Sequence, residues 1–457
     1  MTDVLLIHPP TPPTVIFLPL FPLGLGYLAS SLENNGLEVK VLDLNVEDMN
    51  YEKVKKVISS FNPSIIGISS TSLTLPFTLK LAQLIKSELD VPICIGGPHA
   101  SVDPTFVHRF KNFFDYQIIG EGEITFPWLV RKILKNKKIR KKVFFGKPVQ
   151  NLDSLLFPAY HLFPMKKYTR HTGIILSSRG CPYSCIFCSL HSEKVRFRTP
   201  RNVIEELKLL KEEYKIEKIE FEDNNFTINR KRVIDFCNQL LKEKLEIKWS
   251  CQTRSDLVDI NILKIMKKSG CELISFGVET FSEKLQQKIK KNIPPNVSAQ
   301  AILSVQKVGM KVGVNCLFGL PMEKREDIEC TIHWLKKLKP NFVFPSFVVP
   351  FLGTEVFEIL VKKGKIDKNI WDVYTRGLVP PPVSVSENFN RLLYFYYLIQ
   401  ILALFRIGVS TPKVVSIGHL LKLYPNLLSF TYKSKLFKYL KSFLLSNSQK
   451  LFLKSFE

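Results

Sequence analysis

Along this chain, short apolar runs alternate with longer amphipathic stretches, and that pattern restricts the fold more than any other feature. Runs at 4–8, 39–42, 65–69, 93–95 and 116–119 read as strands. Residues 22–35, 51–61, 77–89, 104–113 and 125–134 read as the helices between and after them. Strands that alternate with helices pair in parallel, because each crossover helix returns the chain to the same end of the sheet. Residues 1–150 are therefore expected to form a doubly wound, flavodoxin-like α/β domain. A connector containing proline and aromatic residues follows at 152–168. The alternation then resumes with a longer repeat: strands at 173–177, 218–222, 248–252, 273–278, 311–318 and 342–348, with helices such as 201–214 and 324–337. Six β/α units suggest an open, partial (β/α)6 barrel over residues 151–385, with its site at the carboxyl ends of the strands.

At 457 residues the chain is too long for one ordinary domain, and 45% hydrophobic content excludes global disorder. Six of the nine cysteines (Cys94, Cys237, Cys251, Cys271, Cys316 and Cys330) are scattered through mostly apolar runs. They read as reduced, buried thiols of a cytoplasmic protein rather than a disulfide framework. The start, Met1-Thr2-Asp3, has neither the basic residues nor the small-residue cleavage site of a signal peptide. A net charge of +24 admits nucleic acid, anionic lipid or plain solubility as its purpose. Much of it is lysine spread over helical faces. Residues 131–147 are denser, with nine basic residues and no acid, and from Phe389 onward there are ten basic residues against the single acid Glu457. No zinc knuckle or RNA-binding motif is visible, so no nucleic-acid partner is expected.

The other three cysteines carry the chemistry. Cys181, Cys185 and Cys188 stand at CxxxCxxC spacing within Ser178-Arg179-Gly180-Cys181-Pro182-Tyr183-Ser184-Cys185-Ile186-Phe187-Cys188. Gly180 and Pro182 turn the preceding apolar run into a loop. Three thiolates on one short loop can converge on one inorganic centre but cannot complete a four-cysteine site. A [4Fe–4S] cube held this way keeps one iron open. Two other readings stay open on the loop alone: a Cys3His zinc site that adds His191, and small cysteines that merely fill a core.

The loop and the segments behind it resemble the radical SAM superfamily, in which the open iron is chelated by the amino and carboxylate groups of S-adenosylmethionine (SAM). Phe187 matches the aromatic that usually precedes the last cysteine. Glu222-Asp223-Asn224, after the second strand, resembles the acidic segment beside the methionyl end of SAM, with Asn224 where many relatives have a second aspartate. Carboxylate and amide oxygens suit an ammonium group. Thr253-Arg254 resembles the position of a basic residue near the SAM carboxylate, which arginine can bind by paired hydrogen bonds. An ion pair with Asp256 is the alternative for Arg254. Residues 276–280, with Glu279, resemble the fourth-strand motif that reaches the SAM ribose. Residues 313–323, with Gly313, Asn315 and Gly319, resemble the fifth-strand segment along the adenine, and 350–354 matches an element after the sixth strand. The resemblance implies reductive cleavage of SAM to a 5′-deoxyadenosyl radical, with electrons from a donor such as flavodoxin or ferredoxin. That step needs no side-chain acid or base, so no catalytic side chain is assigned.

The strand-end loops of the first domain are Ser69-Ser70-Thr71, Gly96-Gly97-Pro98-His99 and Gly120-Glu121-Gly122-Glu123. Small residues let a backbone approach a bulky ligand, and doubly wound sheets bind ligands beyond the carboxyl ends of their strands. Together with the P-x-G-L-x-Y-L-A opening at 22–29, these loops resemble the cobalamin-binding domain that precedes many radical SAM domains. The Asp-x-His-x-x-Gly motif of many such domains is absent, so the resemblance implies cobalamin without a protein imidazole on cobalt. A turn residue satisfied by backbone groups is the alternative for His99, and a sheet that keeps this shape but binds nothing is the alternative for the whole domain.

Taken together, the resemblance implies a cobalamin-dependent radical SAM enzyme that methylates an unactivated carbon through a 5′-deoxyadenosyl radical and methylcobalamin. Ring formation or rearrangement without methyl transfer is a second reading, and a non-catalytic cluster or cobalamin sensor is a third. Residues 386–457 are expected to be helical. The apolar run 392–405 would span about 21 Å as a helix, short of the roughly 20 apolar residues of a membrane crossing. It reads as a buried helix over the barrel mouth or, with the lysines interleaved at 422–441, as an element on an anionic membrane surface. A lipophilic small-molecule substrate and membrane association of a cytoplasmic protein are expectations that rest on this tail.

Overall fold

A computed structural model describes residues 2–11, 19–47, 49, 51–168, 172–192 and 194–376. All of them belong to one compact unit. The expected helical region 386–457 and its membrane reading lie outside the described residues.

The first sheet contains β1 (Val4–His8), β2 (Val39–Asp43), β3 (Ile65–Ser69), β4 (Ile93–Gly96), β5 (Tyr116–Ile119) and β6 (Val143–Phe145). Its order is β2-β1-β3-β4-β5-β6 and every pairing is parallel. The order reverses between β1 and β3, the switch point where doubly wound sheets open a crevice. Helices α1 (Leu23–Asn34), α2 (Tyr51–Phe61), α3 (Leu75–Glu88), α4 (Pro98–Val102), α5 (Phe106–Arg109) and α6 (Thr125–Leu134) connect the strands. Side chains of a strand alternate between faces, and in β1 both sets are apolar. Val4 and Leu6 enter one core while Leu5 and Ile7 enter the other, which is why the segment reads as a continuous hydrophobic run.

The second sheet contains β7 (Thr172–Ile175), β10 (Lys218–Phe221), β11 (Lys248–Thr253), β12 (Cys271–Glu279), β13 (Lys311–Phe318) and β14 (Phe342–Phe347), paired in parallel and in sequence order. Between β7 and β10 a two-residue antiparallel pair, β8 (Ser178–Arg179) with β9 (Arg196–Phe197), frames the cysteine loop. Helices α7 (Pro200–Tyr214), α8 (Arg230–Lys242), α9 (Ile260–Lys268), α10 (Glu283–Lys288), α11 (Pro295–Lys307), α12 (Arg325–Leu338), α13 (Glu355–Lys362) and α14 (Ile370–Thr375) complete the described chain. Local sequence sets their ends. Thr199 caps α7 through Asn202 N–H ahead of Pro200, Asp259 caps α9 through two N–H groups, and Thr354 caps α13. This is the open (β/α)6 arrangement expected from the repeat.

The domains meet through an apolar core that runs continuously from Val4 and Leu6 to Ile174 and Phe221. Phe21 packs on Tyr160 and Phe163 of the connector at ring distances of 4.9 and 4.8 Å. Glu206, fully buried on α7, accepts from Tyr160 Oη at 2.7 Å and pairs with buried Arg198, which also donates to Tyr27 Oη. A buried ion pair is tolerated only when further hydrogen bonds satisfy it, and here two phenols do so.

Several boundaries differ from the expectations. Strand β6 arises inside the lysine-rich stretch because it pairs with β5, although its flanks show no alternation. The helix expected at 104–113 shrinks to α5, and α4 forms within the expected loop 96–99 and beyond it, with Pro98 at its first position. Strand β7 ends at Ile175 because Ser177 turns aside to give its N–H to Asp223.

Candidate functional site

At the carboxyl ends of β10 to β13, side chains line an open cavity of about 180 Å³. Cys181, Cys185, Phe187 and Cys188 line one side. Asn224 and Asn225 follow β10, Gln252 to Arg254 end β11, Gly277 and Glu279 end β12, and Asn315 lies on β13. The cysteine loop is fixed by backbone bonds from Ile186 N to Ile289 O (3.2 Å) and from Val356 N to Ile186 O (3.0 Å). All three cysteines are free and partly buried. Burial pushes the Cys185 and Cys188 thiols up. Lys291 and Arg254 oppose this at Cys185, and the Leu190 N–H, 3.4 Å from Cys188 Sγ, opposes it at Cys188.

Arg254 makes the ion pair with Asp256 that is its alternative reading. Its guanidinium bonds Asp256 at 3.0 and 2.8 Å, donates to Lys291 O at 3.0 Å and lies 3.8 Å over the Tyr183 ring. Its Nη1 is nevertheless buried without a partner. A charged donor orphaned in a cavity wall costs stability unless an acceptor arrives, and a carboxylate is the acceptor that suits it. Opposite, Glu279 pairs with Lys291 Nζ at 2.9 Å, both largely buried. Glu279 has a left-handed φ of 66°, uncommon for a residue with a side chain.

Sequence reasoning missed Lys291, Tyr183 and Asn225. Asn225 Nδ2 donates to Cys181 Sγ at 3.3 Å while its Oδ1 accepts from Arg254 N, tying the first cysteine to the end of β11. Its place one residue after Asn224 was the available signal. Conversely, the structure does not bring Glu222, Asp223, Gly313 or Gly319 to the cavity wall. Asp223 is fully buried and accepts from Ser177 N (2.9 Å), Ser177 Oγ (2.8 Å) and Ser178 Oγ. Gly313 packs against Phe344, and Gly319 gives its N–H to Glu323 at 2.8 Å in a turn. The zinc reading would take His191 as its fourth ligand; that residue is exposed, with Nδ1 beside Tyr183 O at 3.3 Å.

A second cavity, of about 270 Å³, opens at the ends of β3, β4 and β5. Ser69, Gly96, Gly97, Gly120 and Glu121 line it, with Gly24, Tyr27 and Leu28 of α1, Phe126 of α6, and Leu176 and Arg179 from the other domain. Gly97 has φ +91°, and a Cβ there would lie 2.7 Å from Ser69 Oγ and 2.8 Å from Ser70 N. At Gly24, Gly96 and Gly120 a Cβ would meet almost nothing, so their bareness leaves room at the wall. Ser70 and Thr71 are spent locally: Ser70 Oγ bonds Thr78 Oγ1 at 2.8 Å and Thr71 N–H bonds Thr74 Oγ1 at 3.0 Å. His99 is buried away from the cavity, with Nδ1 2.9 Å from Ser72 Oγ and Nε2 3.9 Å from Asp103, and burial pushes its pKa down to about 4.

Arg179 lines the first-domain cavity two residues before the cysteine loop begins at Cys181. It pairs with Glu123 at 2.7 Å and Glu121 at 3.4 Å and lies 5.1 Å over the Tyr27 ring, and two residues later Cys181 lines the other cavity. Burial disfavours the Arg179 charge, but the two glutamates hold its pKa above the usual range. Burial likewise pushes Glu121 up, and its bonds to Arg196, Val149 N–H and Arg179 bring it below the ordinary carboxylate range.

Residues 175–335 match the model of the Radical SAM superfamily, and residues 14–130 match that of the B12 binding domain. An uncharacterized methyltransferase of Pyrococcus horikoshii is 32% identical over 422 residues, covering 86% of this chain and 91% of that protein. This chain belongs to the cobalamin-dependent radical SAM methyltransferase family. The radical SAM enzyme is also similar, at 23% identity over 404 residues, to the anaerobic magnesium-protoporphyrin IX monomethyl ester cyclase of Rubrivivax gelatinosus, over 82% of this chain and 73% of that protein. Its fold matches a solved radical SAM methyltransferase, TsrM from Kitasatospora setae with cobalamin and a [4Fe–4S] cluster bound. The TM-score is 0.65 and the identity 16%, over 79% of this chain and 75% of that one.

The family models point to SAM and cobalamin as cofactors, and the matching TsrM structure holds cobalamin and a [4Fe–4S] cluster. The residues present fit them. Three thiols share a cavity with an orphaned guanidinium donor, and bare glycines leave space at the other cavity.

Proposed function

We propose that this radical SAM enzyme methylates an unactivated carbon of a small-molecule substrate. The observation that carries the reading is that one short stretch of chain serves both cavities: Leu176 and Arg179 line the first, and Cys181 lines the second. When bound, the cofactors supply a hydrogen-abstracting radical and a methyl carrier, chemistry that side chains do not offer. The chain holds, orients and shields. Cys181, Cys185 and Cys188 hold the cluster beside Phe187. Asn224, Glu279 and Asn315 offer oxygens to the ammonium and hydroxyls of SAM, and Arg254 Nη1 offers its free donor to the carboxylate. Ser69, Gly96, Gly97, Gly120 and Glu121 cradle the corrinoid, while Leu28, Ile118, Phe126 and Leu176 keep water from that wall.

The apolar, basic sequence beyond Phe389 supports a lipophilic substrate and a cytoplasmic enzyme that works at a membrane surface. A flavodoxin or ferredoxin suits the need for single electrons.

Anaerobic reconstitution with iron, sulfide and hydroxocobalamin, followed by optical and EPR spectra after desalting, is the first test. Methyl-deuterated SAM then separates the outcomes. Methyl transfer yields S-adenosylhomocysteine alongside 5′-deoxyadenosine and places the label in the product. Deoxyadenosine alone, or no retained corrinoid, rejects methyl transfer. A radical ring closure would then stand in its place, a reading favoured by the likeness to the cyclase over 82% of this chain.

A further inference from the structure

We propose that the exposed side chains of residues 124–147 of the first domain form a docking face for anionic lipid bilayers; of this segment only Phe126, which is buried, lines a cofactor cavity. Of the eight large hydrophobic side chains exposed among the described residues, four fall in this segment: Ile124, Trp128, Leu134 and Phe145. Trp128 is 47% and Phe145 67% exposed. The same segment carries nine basic residues from Arg131 to Lys147 and no acidic one.

The fold gathers these groups. Ile124, Trp128, Arg131 and Lys135 are spaced by four, three and four residues, which places them on one face of α6 and its ends. Strand β6 is the edge of its sheet, so its outer rim has no neighbouring strand among the described residues. Lys147 N–H donates to Thr125 Oγ1 at 3.3 Å, which brings the end of β6 to the start of α6. Phe144 points inward and supports Trp128 edge-on at 5.8 Å, and its neighbour Phe145 is therefore turned outward. Lys132 and Lys141 lie 5.6 Å over the Trp128 and Phe144 rings, so cations border the aromatic groups.

Exposed apolar groups ringed by cations suit the interfacial region of a bilayer, where tryptophan concentrates and lysines reach anionic headgroups. Composition argues against an acidic protein as occupant. Seven of the nine basic residues are lysine, and lysine is depleted at protein–protein interfaces where arginine is enriched. The chain's own C-terminal stretch is a poor occupant as well, since its ten basic residues from Phe389 onward would be repelled.

The test uses the full chain with reconstituted cofactors. Vesicles of phosphatidylcholine alone are compared with vesicles containing about one-third phosphatidylglycerol, at low and high salt. The enzyme should sediment with the anionic vesicles only, and salt should release it. Each lysine near an anionic surface contributes about fivefold, so Lys135→Gln, Lys138→Gln and Lys141→Gln together should weaken partitioning on the order of 100-fold. Retained corrinoid shows that the triple variant is folded. Trp128 is the exposed member of the chain's four tryptophans, so anionic vesicles containing brominated lipid should quench emission that Trp128→Phe removes. This second readout separates the face from any membrane contact by the C-terminal stretch. A triple variant that sediments like the parent, or Trp128 emission unmoved by vesicles, overturns the proposal. So does charge-dependent retention on an RNA homopolymer or an acidic flavodoxin without any vesicle binding.

Discussion

Replacing Arg179 by methionine removes the cation from a site whose carboxylates stay behind. Arg179 and Glu123 have side chains only 15% and 7% exposed, so theirs is a buried pair and not a screened surface one. Breaking such a pair from one side costs about 3–5 kcal/mol, because the remaining charge is left uncompensated. Glu121 retains Arg196 and the Val149 N–H, so the penalty falls mainly on Glu123. The converse change, Glu123→Gln, leaves Arg179 with Glu121 and the Tyr27 ring and should cost about 1–3 kcal/mol. Both changes together leave no stranded charge. The double variant should therefore be more stable than the sum of the single effects implies, by at least about 2 kcal/mol. Urea unfolding of the apo enzyme measures the cycle. Equilibrium dialysis with hydroxocobalamin and iron quantification should show that Arg179→Met weakens both cavities at once, since Arg179 lines one and lies two residues before Cys181. Additivity within about 0.5 kcal/mol would refute this account of the contact, as would loss of corrinoid with full cluster content.

Single Cys→Ser changes at Cys181, Cys185 or Cys188 should each abolish the reducible cluster signal while leaving corrinoid retention within about twofold, because the thiols line only one cavity. Gly97→Ala combines left-handed backbone with contacts under 3 Å to Ser69 and Ser70. It should cost at least about 1–2 kcal/mol and reduce corrinoid affinity with cluster content intact. His99 should make stability pH-dependent. Its folded pKa, near 4, lies below the unfolded value of about 6.5, so the unfolded chain binds the extra proton. Stability is then full above about pH 6.5 and falls as pH drops toward 4, with about 2 kcal/mol lost between pH 7 and pH 5. His99→Asn should flatten that slope in urea titrations at the two pH values.

The alternation of apolar runs carried the architecture, because both faces of each parallel strand must be apolar and the crossovers must be helical. Strand β6 escaped, since three residues within a lysine-rich stretch have no period of their own and exist as a strand only through pairing with β5. At the site, cysteine spacing is local information and was legible. Lys291 was not: it ends the run Lys288-Ile289-Lys290-Lys291, which reads as a solvated face, and only the placement of the loop after α10 buries it against Glu279. Asp223 misled in the opposite sense. Its residue type suggests a ligand for an ammonium group, yet two serines and a backbone N–H have already claimed its oxygens.

Asp223 therefore bears on how loss-of-function data from this enzyme should be interpreted. The aspartate pins Ser177 and Ser178, the two residues from which the cysteine loop departs, so its removal would release the loop's root rather than a grip on SAM. An inactive Asp223→Ala enzyme and an inactive Arg254→Ala enzyme would look alike in a turnover screen. The first should be short of iron with its SAM contacts in place, and the second should be full of iron with weakened SAM binding. Ranking residues by activity alone would merge a mooring with a recognition element, and iron content is the inexpensive measurement that separates them.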